Sequence, residues 1–177
     1  MKRILSLLLF AAAATLPLSV RAESESAGDN EKKSELPAQG SDWAAGPSAI
    51  WEVNYDAALA KAAEGHKKVF VVCAGSDWCG WCIKLYKEVL SSEEFEKFAE
   101  ANLVLLYLDF PKEKKLPAEQ QRHNTLVSEK LKMNDGFPTA AVLDEKGRVI
   151  ARQDGYADLD AYMAFLKKAV RGKAKKD

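Results

Sequence analysis

The sequence predicts an α/β domain with a mixed central sheet and helices on both faces. Three observations predict it. Val69–Ala74 and Leu103–Leu108 are short, almost wholly apolar runs, the pattern of strands buried on both faces. Stripes of helical period separate these runs from each other and from the next strand. Thr139–Leu143 and Arg148–Gln153 then flank Asp144-Glu145-Lys146-Gly147, a hairpin turn signal. Parallel strands joined by helices, with an antiparallel hairpin after them, give a mixed sheet covered on both sides.

Trp51-Glu52-Val53 is a short strand that opens the domain. Tyr55, Ala58, Leu59, Ala62 and Ala63 form a helical stripe that stops at Gly65, a C-cap. After the strand 69–74, Cys82, Leu85, Tyr86, Val89 and Leu90 repeat at i, i+3, i+4, i+7 and i+8, one face of a helix. Ser91 and Glu94 have capping-box spacing for the next helix, with Phe95, Phe98 and Ala99 facing inward. The strand 103–108 leads to a lysine-rich loop between Phe110 and Pro117. A helix is predicted from Glu119 to Met133, ending before Asp135-Gly136. After the hairpin, Leu159, Tyr162, Met163, Leu166 and Val170 form the last helix, with Asp158 as its N-cap.

Cys79 and Cys82 fall where the strand 69–74 hands over to a helix. Cys79 lies at the helix start and Cys82 about one turn in. Cysteine chemistry runs through the thiolate, and a helix start offers unpaired N–H groups and a positive dipole end to negative sulfur. The chain has three cysteines: Cys73, Cys79 and Cys82. A structural framework would use more of them at longer spacings, because a very short loop constrains the unfolded chain little. The C-x-x-C pair therefore reads as a redox site. Cys73 reads as a small buried hydrophobe, with a third redox thiol or a metal ligand as the alternative. His66 and His123 flank helices far from the pair and read as surface residues.

The ends carry other information. Lys2 and Arg3, then the apolar Ile4–Thr15, then Val20-Arg21-Ala22 match a secretory signal peptide over 1–22, cleaved after Ala22. The apolar stretch is about 12 residues, short of the ~20 needed to span a bilayer, so no stable membrane anchor is expected. Residues 23–48 read as a flexible linker, 49–171 as the domain and 172–177 as a basic tail. The 26 Lys+Arg less Lys2, Arg3 and Arg21 leave 23 against 26 Asp+Glu, a net of −3 after cleavage. That balance gives no electrostatic case for nucleic acid. Export to an oxidising compartment strengthens the redox reading of the pair.

The order of elements, Trp78-Cys79-Gly80-Trp81-Cys82 after a strand, and Gly136-Phe137-Pro138-Thr139 before another, together resemble the thioredoxin fold over nearly all of 51–170. The chain looks most like exported bacterial thioredoxin-like proteins with this Trp-Cys-Gly-Trp-Cys motif. The resemblance implies a thiol–disulfide oxidoreductase. Cys79 is the expected nucleophile and Cys82 the resolving thiol. Pro138 is expected to be cis, and Phe137, Trp78 and Trp81 are expected to line the client groove with it. No cofactor and no metal are implied. The partners would be cysteine-containing exported proteins and a second redox protein that resets the site, in the periplasm or outside the cell.

Three departures from the family pattern stand out. Trp81 replaces a proline, leaving open whether the protein reduces, oxidises or isomerises. Cys73 occupies the position of a buried carboxylate that aids proton transfer, so that help would come from water, Asp77 or Glu88. Ile83 stands where lysine is common, with Lys84 one later. The competing reading is a non-catalytic thioredoxin-fold module that binds metal or acts as a chaperone.

Overall fold

The structure is a computed structural model that describes Trp51–Gly172. The signal-peptide and linker readings, and all of the tail but Gly172, lie outside the described residues. The elements are β1 (Trp51–Glu52), α1 (Tyr55–Glu64), β2 (Lys68–Ala74), α2 (Gly80–Leu85) running into a π-helical turn (Tyr86–Leu90), α3 (Glu93–Asn102), β3 (Leu103–Asp109), α4 (Ala118–Lys130), β4 (Thr139–Leu143), β5 (Val149–Asp154) and α5 (Leu159–Arg171). The predicted order holds throughout.

The five strands lie in the order β1-β3-β2-β4-β5. β2 is the centre. It pairs parallel with β3 from Lys68↔Leu103 to Ala74↔Asp109, and antiparallel with β4 from Val69↔Leu143 to Cys73↔Thr139. Every side chain from Val69 to Ala74 is fully buried, as the unbroken apolar run implies. Each large side chain buried here contributes roughly 1.5–3 kcal/mol of transfer free energy.

Strand alternation sorts the core into two clusters. Phe70, Val72 and Ala74 face one way, toward Cys82, Leu85, Val89, Phe95, Tyr162 and Leu166 of α2, the π turn, α3 and α5. Val69, Val71 and Cys73 face the other way, toward Ala58, Ala62, Val127 and Leu131 of α1 and α4. The pairing also decides where the site falls. Parallel β2 and β3 end at the same edge of the sheet, and antiparallel β4 begins there. The segment after β2 and the segment before β4 are thus brought to one edge.

Several boundaries differ from the sequence reading. The stripe 82–90 is buried as predicted, but its second half is a π turn, closed by Ser91 N–H to the Tyr86 carbonyl at 2.9 Å. A π turn takes one more residue than an α turn. Ser91 therefore ends it, and Ser92 caps α3 by accepting the Phe95 N–H at 3.2 Å. Glu94 does not close a box. Gly65 is the C-cap of α1 with φ −85°, and the left-handed turn is taken by His66 at φ 52°. α4 begins at Ala118 and ends at Lys130, short of Met133, and β5 starts one residue later than predicted.

The 144–147 hairpin forms as expected. Asp144 accepts the Lys146 and Arg148 N–H groups, each at 2.9 Å, and the Arg148 Nε at 2.8 Å. Gly147 has φ +74°, and a side chain there would also strike the Tyr55 hydroxyl, 2.3 Å from the Cβ position. Asp158 caps α5 through the Ala161 N–H at 2.9 Å.

The relocated cap is testable. Ser92→Ala should cost about 1 kcal/mol of stability, and Ser91→Ala less than about 0.5 kcal/mol. Urea midpoints of the two variants measure this, and a larger loss at Ser91 would restore the capping box.

Candidate active site

β2 runs out at Ala74, and Gly75–Trp78 turns the chain back toward the core. The Cys79 N–H donates to the Gly75 carbonyl at 3.0 Å, closing that turn. Cys79 is then the N-cap of α2, with extended backbone (φ −87°, ψ 98°). In place of the hydroxyl or carboxylate that usually caps a helix, its Sγ accepts the Cys82 N–H at 3.2 Å. A disulfide joins Cys79 to Cys82, with Cα atoms 5.2 Å apart. Cys82 is fully buried on the helix face against β2, and Cys79 is 6% exposed. The two sequence-predicted sulfurs are bonded, with Cys79 nearer solvent.

Two aromatic groups flank the pair. Trp78, 38% exposed, donates its indole N–H to the Phe110 carbonyl at 2.8 Å. Phe137 meets the Trp78 ring edge-on, centroids 5.6 Å apart at 82°, and touches Phe110 at 5.3 Å. The Lys112 ammonium lies 3.9 Å from the Trp78 ring centroid. Trp81, 59% exposed, leans on Tyr156 at 5.6 Å, and Lys84 sits 5.4 and 4.6 Å from those two rings. The Tyr156 hydroxyl bonds the Glu88 carboxylate, and that bond, with lesser desolvation and nearby negative charge, pushes the phenol up to about 12.

The Phe137–Pro138 peptide is cis. The Pro138 carbonyl accepts the Gly155 N–H at 2.8 Å, so it is used within the fold. Thr139 Oγ1 donates to the Gly136 carbonyl at 2.8 Å. The sequence-predicted group of Trp78, Phe137 and Pro138 is brought together at the sheet edge, while Trp81 stands apart on α2 with Tyr156. Tyr156, Phe110 and Lys112 complete these groups and had no local motif to mark them.

The expected proton-handling carboxylates are engaged elsewhere. Asp77 accepts three successive backbone N–H groups, from Lys112 at 3.0 Å and from Glu113 and Lys114 at 2.8 Å. Desolvation works against its charged form, but these bonds outweigh it and hold the carboxyl below its usual range. Asp77 is thus an ionised anchor for the loop after β3. Glu88 is bound to Tyr156 and lies 3.9 Å from Lys84. Asp109, which ends β3, was not anticipated. It accepts the Ser76 N–H at 3.0 Å, the Ser76 hydroxyl at 2.7 Å and the Tyr107 hydroxyl at 3.0 Å. Burial first, and the Asp109 charge next, hold the Tyr107 phenol in its protonated form.

Cys73 is free and buried in the cluster on the opposite face of the sheet from the disulfide. Burial pushes its thiol up to about 12, with the Arg152 charge opposing weakly. The structure sides with packing over a third working thiol. Among the described residues no group of three or more His, Cys, Asp or Glu side chains is disposed to hold a metal ion. His123 is a packing residue as well: its Nε2 accepts the Tyr55 N–H at 3.1 Å at the start of α1.

This arrangement is that of a thioredoxin-like domain, and the family profile of that description matches residues 55–170. The chain belongs to the thioredoxin-like family. It is 37% identical over 102 residues to the disulfide bond reductase DsbH of Chlamydia pneumoniae, a match covering 58% of this chain and 60% of that protein. It is 32% identical over 105 residues to the thioredoxin-related protein DsbJ of Chlamydia pneumoniae, covering 59% of this chain and 30% of that one. Both matches span less than two thirds of the relative's length. A solved structure of a DsbH oxidoreductase superposes with a TM-score of 0.65 at 31% identity, covering 80% of this chain and 98% of that one. A thioredoxin from Thermus thermophilus, at 22% identity and a TM-score of 0.53 over 68% of this chain and 86% of that one, shares the fold.

The Asp77 clamp has a pH signature. Its folded carboxyl is depressed, so its contribution is complete above the unfolded value of ~3.9 and is lost as pH falls through the folded value. At neutral pH, Asp77→Ala should speed hydrogen exchange at the Lys112, Glu113 and Lys114 amides, whereas the unaltered protein should show that loosening only in acid. Unchanged exchange in Asp77→Ala would contradict the clamp.

Proposed function

We propose that this protein is an exported thiol–disulfide oxidoreductase that reduces disulfides in other exported proteins. The observation that carries the reading is the Cys79–Cys82 disulfide at the start of α2, with Cys79 the more exposed sulfur and the Cys82 N–H directed at it. A hydrogen bond to sulfur favours its charged form, and the charged form is the nucleophile. The name of the similar reductase supports reduction as the direction.

In that direction the Cys79 thiolate attacks one sulfur of a client disulfide. A Cys79–client bond forms, the client S–S bond breaks, and the departing client thiolate takes up a proton. Cys82 loses its proton and attacks the Cys79 sulfur. The Cys79–Cys82 bond forms, the mixed disulfide breaks, and the second client thiolate leaves and is protonated. Two electrons pass from the pair to the client; of the two protons the client takes up, one is lost by Cys82 and the other comes from solvent, which received it when Cys79 ionised. A partner dithiol of lower potential then reduces the pair and resets the site. Trp78, Phe137 and Pro138 receive the client chain on one side of the pair and Trp81 on the other.

Residues 1–22 act as the signal peptide, removed after Ala22, and residues 23–48 tether the domain. Among the described residues no helix is long and apolar enough to cross a membrane. The mature protein works in the periplasm or outside the cell.

Insulin reduction in the presence of dithiothreitol tests the activity. Cys82→Ser should trap mixed disulfides with client proteins in an exporting host, because the intermediate loses its internal route of release, and Cys79→Ser should trap none. Equal trapping by both would reverse or remove the assigned order of attack. A pair potential near thioredoxin's ~ −270 mV is expected, and one near DsbA's ~ −120 mV would overturn the reductive direction.

A further inference from the structure

We propose that Gly75 is a positioning residue for the client-facing wall beside Cys79, because its missing side chain is the seat of the Trp78 indole. A Cβ built at Gly75 would stand 2.4 Å from both Cε2 and Nε1 of Trp78 and 2.8 Å from Cζ2. Carbon atoms do not approach so closely, so any side chain at 75 displaces the ring. The backbone does not explain the glycine. Among the described glycines only Gly147 and Gly155 have positive φ, so an alanine can follow the chain at 75. The three nearest atoms that a Cβ would meet all belong to the ring.

Everything else around the indole holds it in that seat. Its N–H reaches the Phe110 carbonyl at 2.8 Å, Phe137 abuts its edge, and Lys112 covers a face. The loop carrying Lys112 is itself fixed by Asp77, one residue before Trp78. Phe137, next to Pro138, is braced between Trp78 and Phe110. A displaced indole therefore takes away one of the two rings that brace Phe137. The wall formed by Trp78 and Phe137 keeps one shape because position 75 is empty.

The inference rests on the reading that the pair exchanges disulfides with a protein client that touches this wall. It assigns Gly75 to client binding rather than to sulfur chemistry. Gly75→Ala should raise KM for insulin by roughly three- to ten-fold, the loss of about one aromatic contact, with kcat little changed. The rate toward hydroxyethyl disulfide, too small to use the wall, should stay within about two-fold. The near-UV circular dichroism of the tryptophans should change in Gly75→Ala.

A double-mutant cycle separates the seat from a general structural role. In a Trp78→Ala background, Gly75→Ala should cost nothing further in KM or in the urea midpoint, because no ring remains to be displaced. Should Gly75→Ala alone fail to fold, recovery of the fold in the double variant gives the same answer. Additive effects, failure of the double variant to fold as well, or an unchanged KM and tryptophan signal in Gly75→Ala would overturn the proposal. If the unaltered protein reduces no insulin, the functional reading fails instead. The seat is then judged on the circular dichroism and the urea-midpoint cycle alone.

Discussion

Cys79 uses its own sulfur to cap the helix that carries Cys82. That single bond, Cys82 N–H to Cys79 Sγ at 3.2 Å, joins the protein's architecture to its chemistry. A helix start must satisfy its first N–H groups, and most helices do so with an oxygen. Here the acceptor is the atom proposed to react. The geometry around it is set by that choice. β2 must end at Ala74 for the turn 75–78 to place Cys79 at the cap. Cys82, one turn on, then falls on the buried face, where only the vicinal sulfur is within its reach.

The sheet keeps this chemistry separate from the third thiol. Alternation along β2 sends Ala74 toward the disulfide and Cys73 away from it. Cys73 sits where the family resemblance puts a buried carboxylate, yet its side chain belongs to the packing beneath α1 and α4. A carboxyl group on that face would meet a desolvation penalty among apolar neighbours. The polar work near the site is done instead at the end of β3 and in the turn after β2. There Asp109 gathers Ser76 and Tyr107, and Asp77 gathers three backbone amides. Both carboxylates tie the turn before Cys79 to the β3 side of the sheet. They anchor the turn that carries the proposed nucleophile.

Much of this was legible in residue order, and the exceptions have physical causes. The buried strands were plain because runs such as Val69–Ala74 leave no polar side chain to face water. The position of Cys79 at the helix start was legible because the apolar stripe begins at Cys82; that its sulfur caps the helix was not. The π turn was not, because Cys82, Leu85, Tyr86, Val89 and Leu90 satisfy an α stripe equally well, and its extra residue moved the cap from Ser91 to Ser92. The contacts of Asp109 with Ser76 and of Asp77 with the Lys112, Glu113 and Lys114 amides link residues 33 to 37 apart, a separation that no local pattern encodes. Glycine at 75 is visible in the sequence, but that an indole three residues later lies over it is a fact of packing. Tyr156, in the turn after β5, meets Trp81 in the first turn of α2 across a long stretch of sequence, again a fact of packing.

Whether the capping sulfur is the reactive one can be read directly from iodoacetamide labelling of the fully reduced protein at pH 6.5, with peptide mapping over time. At that pH an ordinary thiol, with a pKa near ~8.5, is almost wholly protonated and slow. Cys79 should be alkylated well ahead of Cys82 and faster than free cysteine, and Cys73 should take label only after denaturation. Label appearing first on Cys82 or Cys73, or Cys79 reacting no faster than free cysteine, would contradict the assignment of Cys79 as the nucleophile.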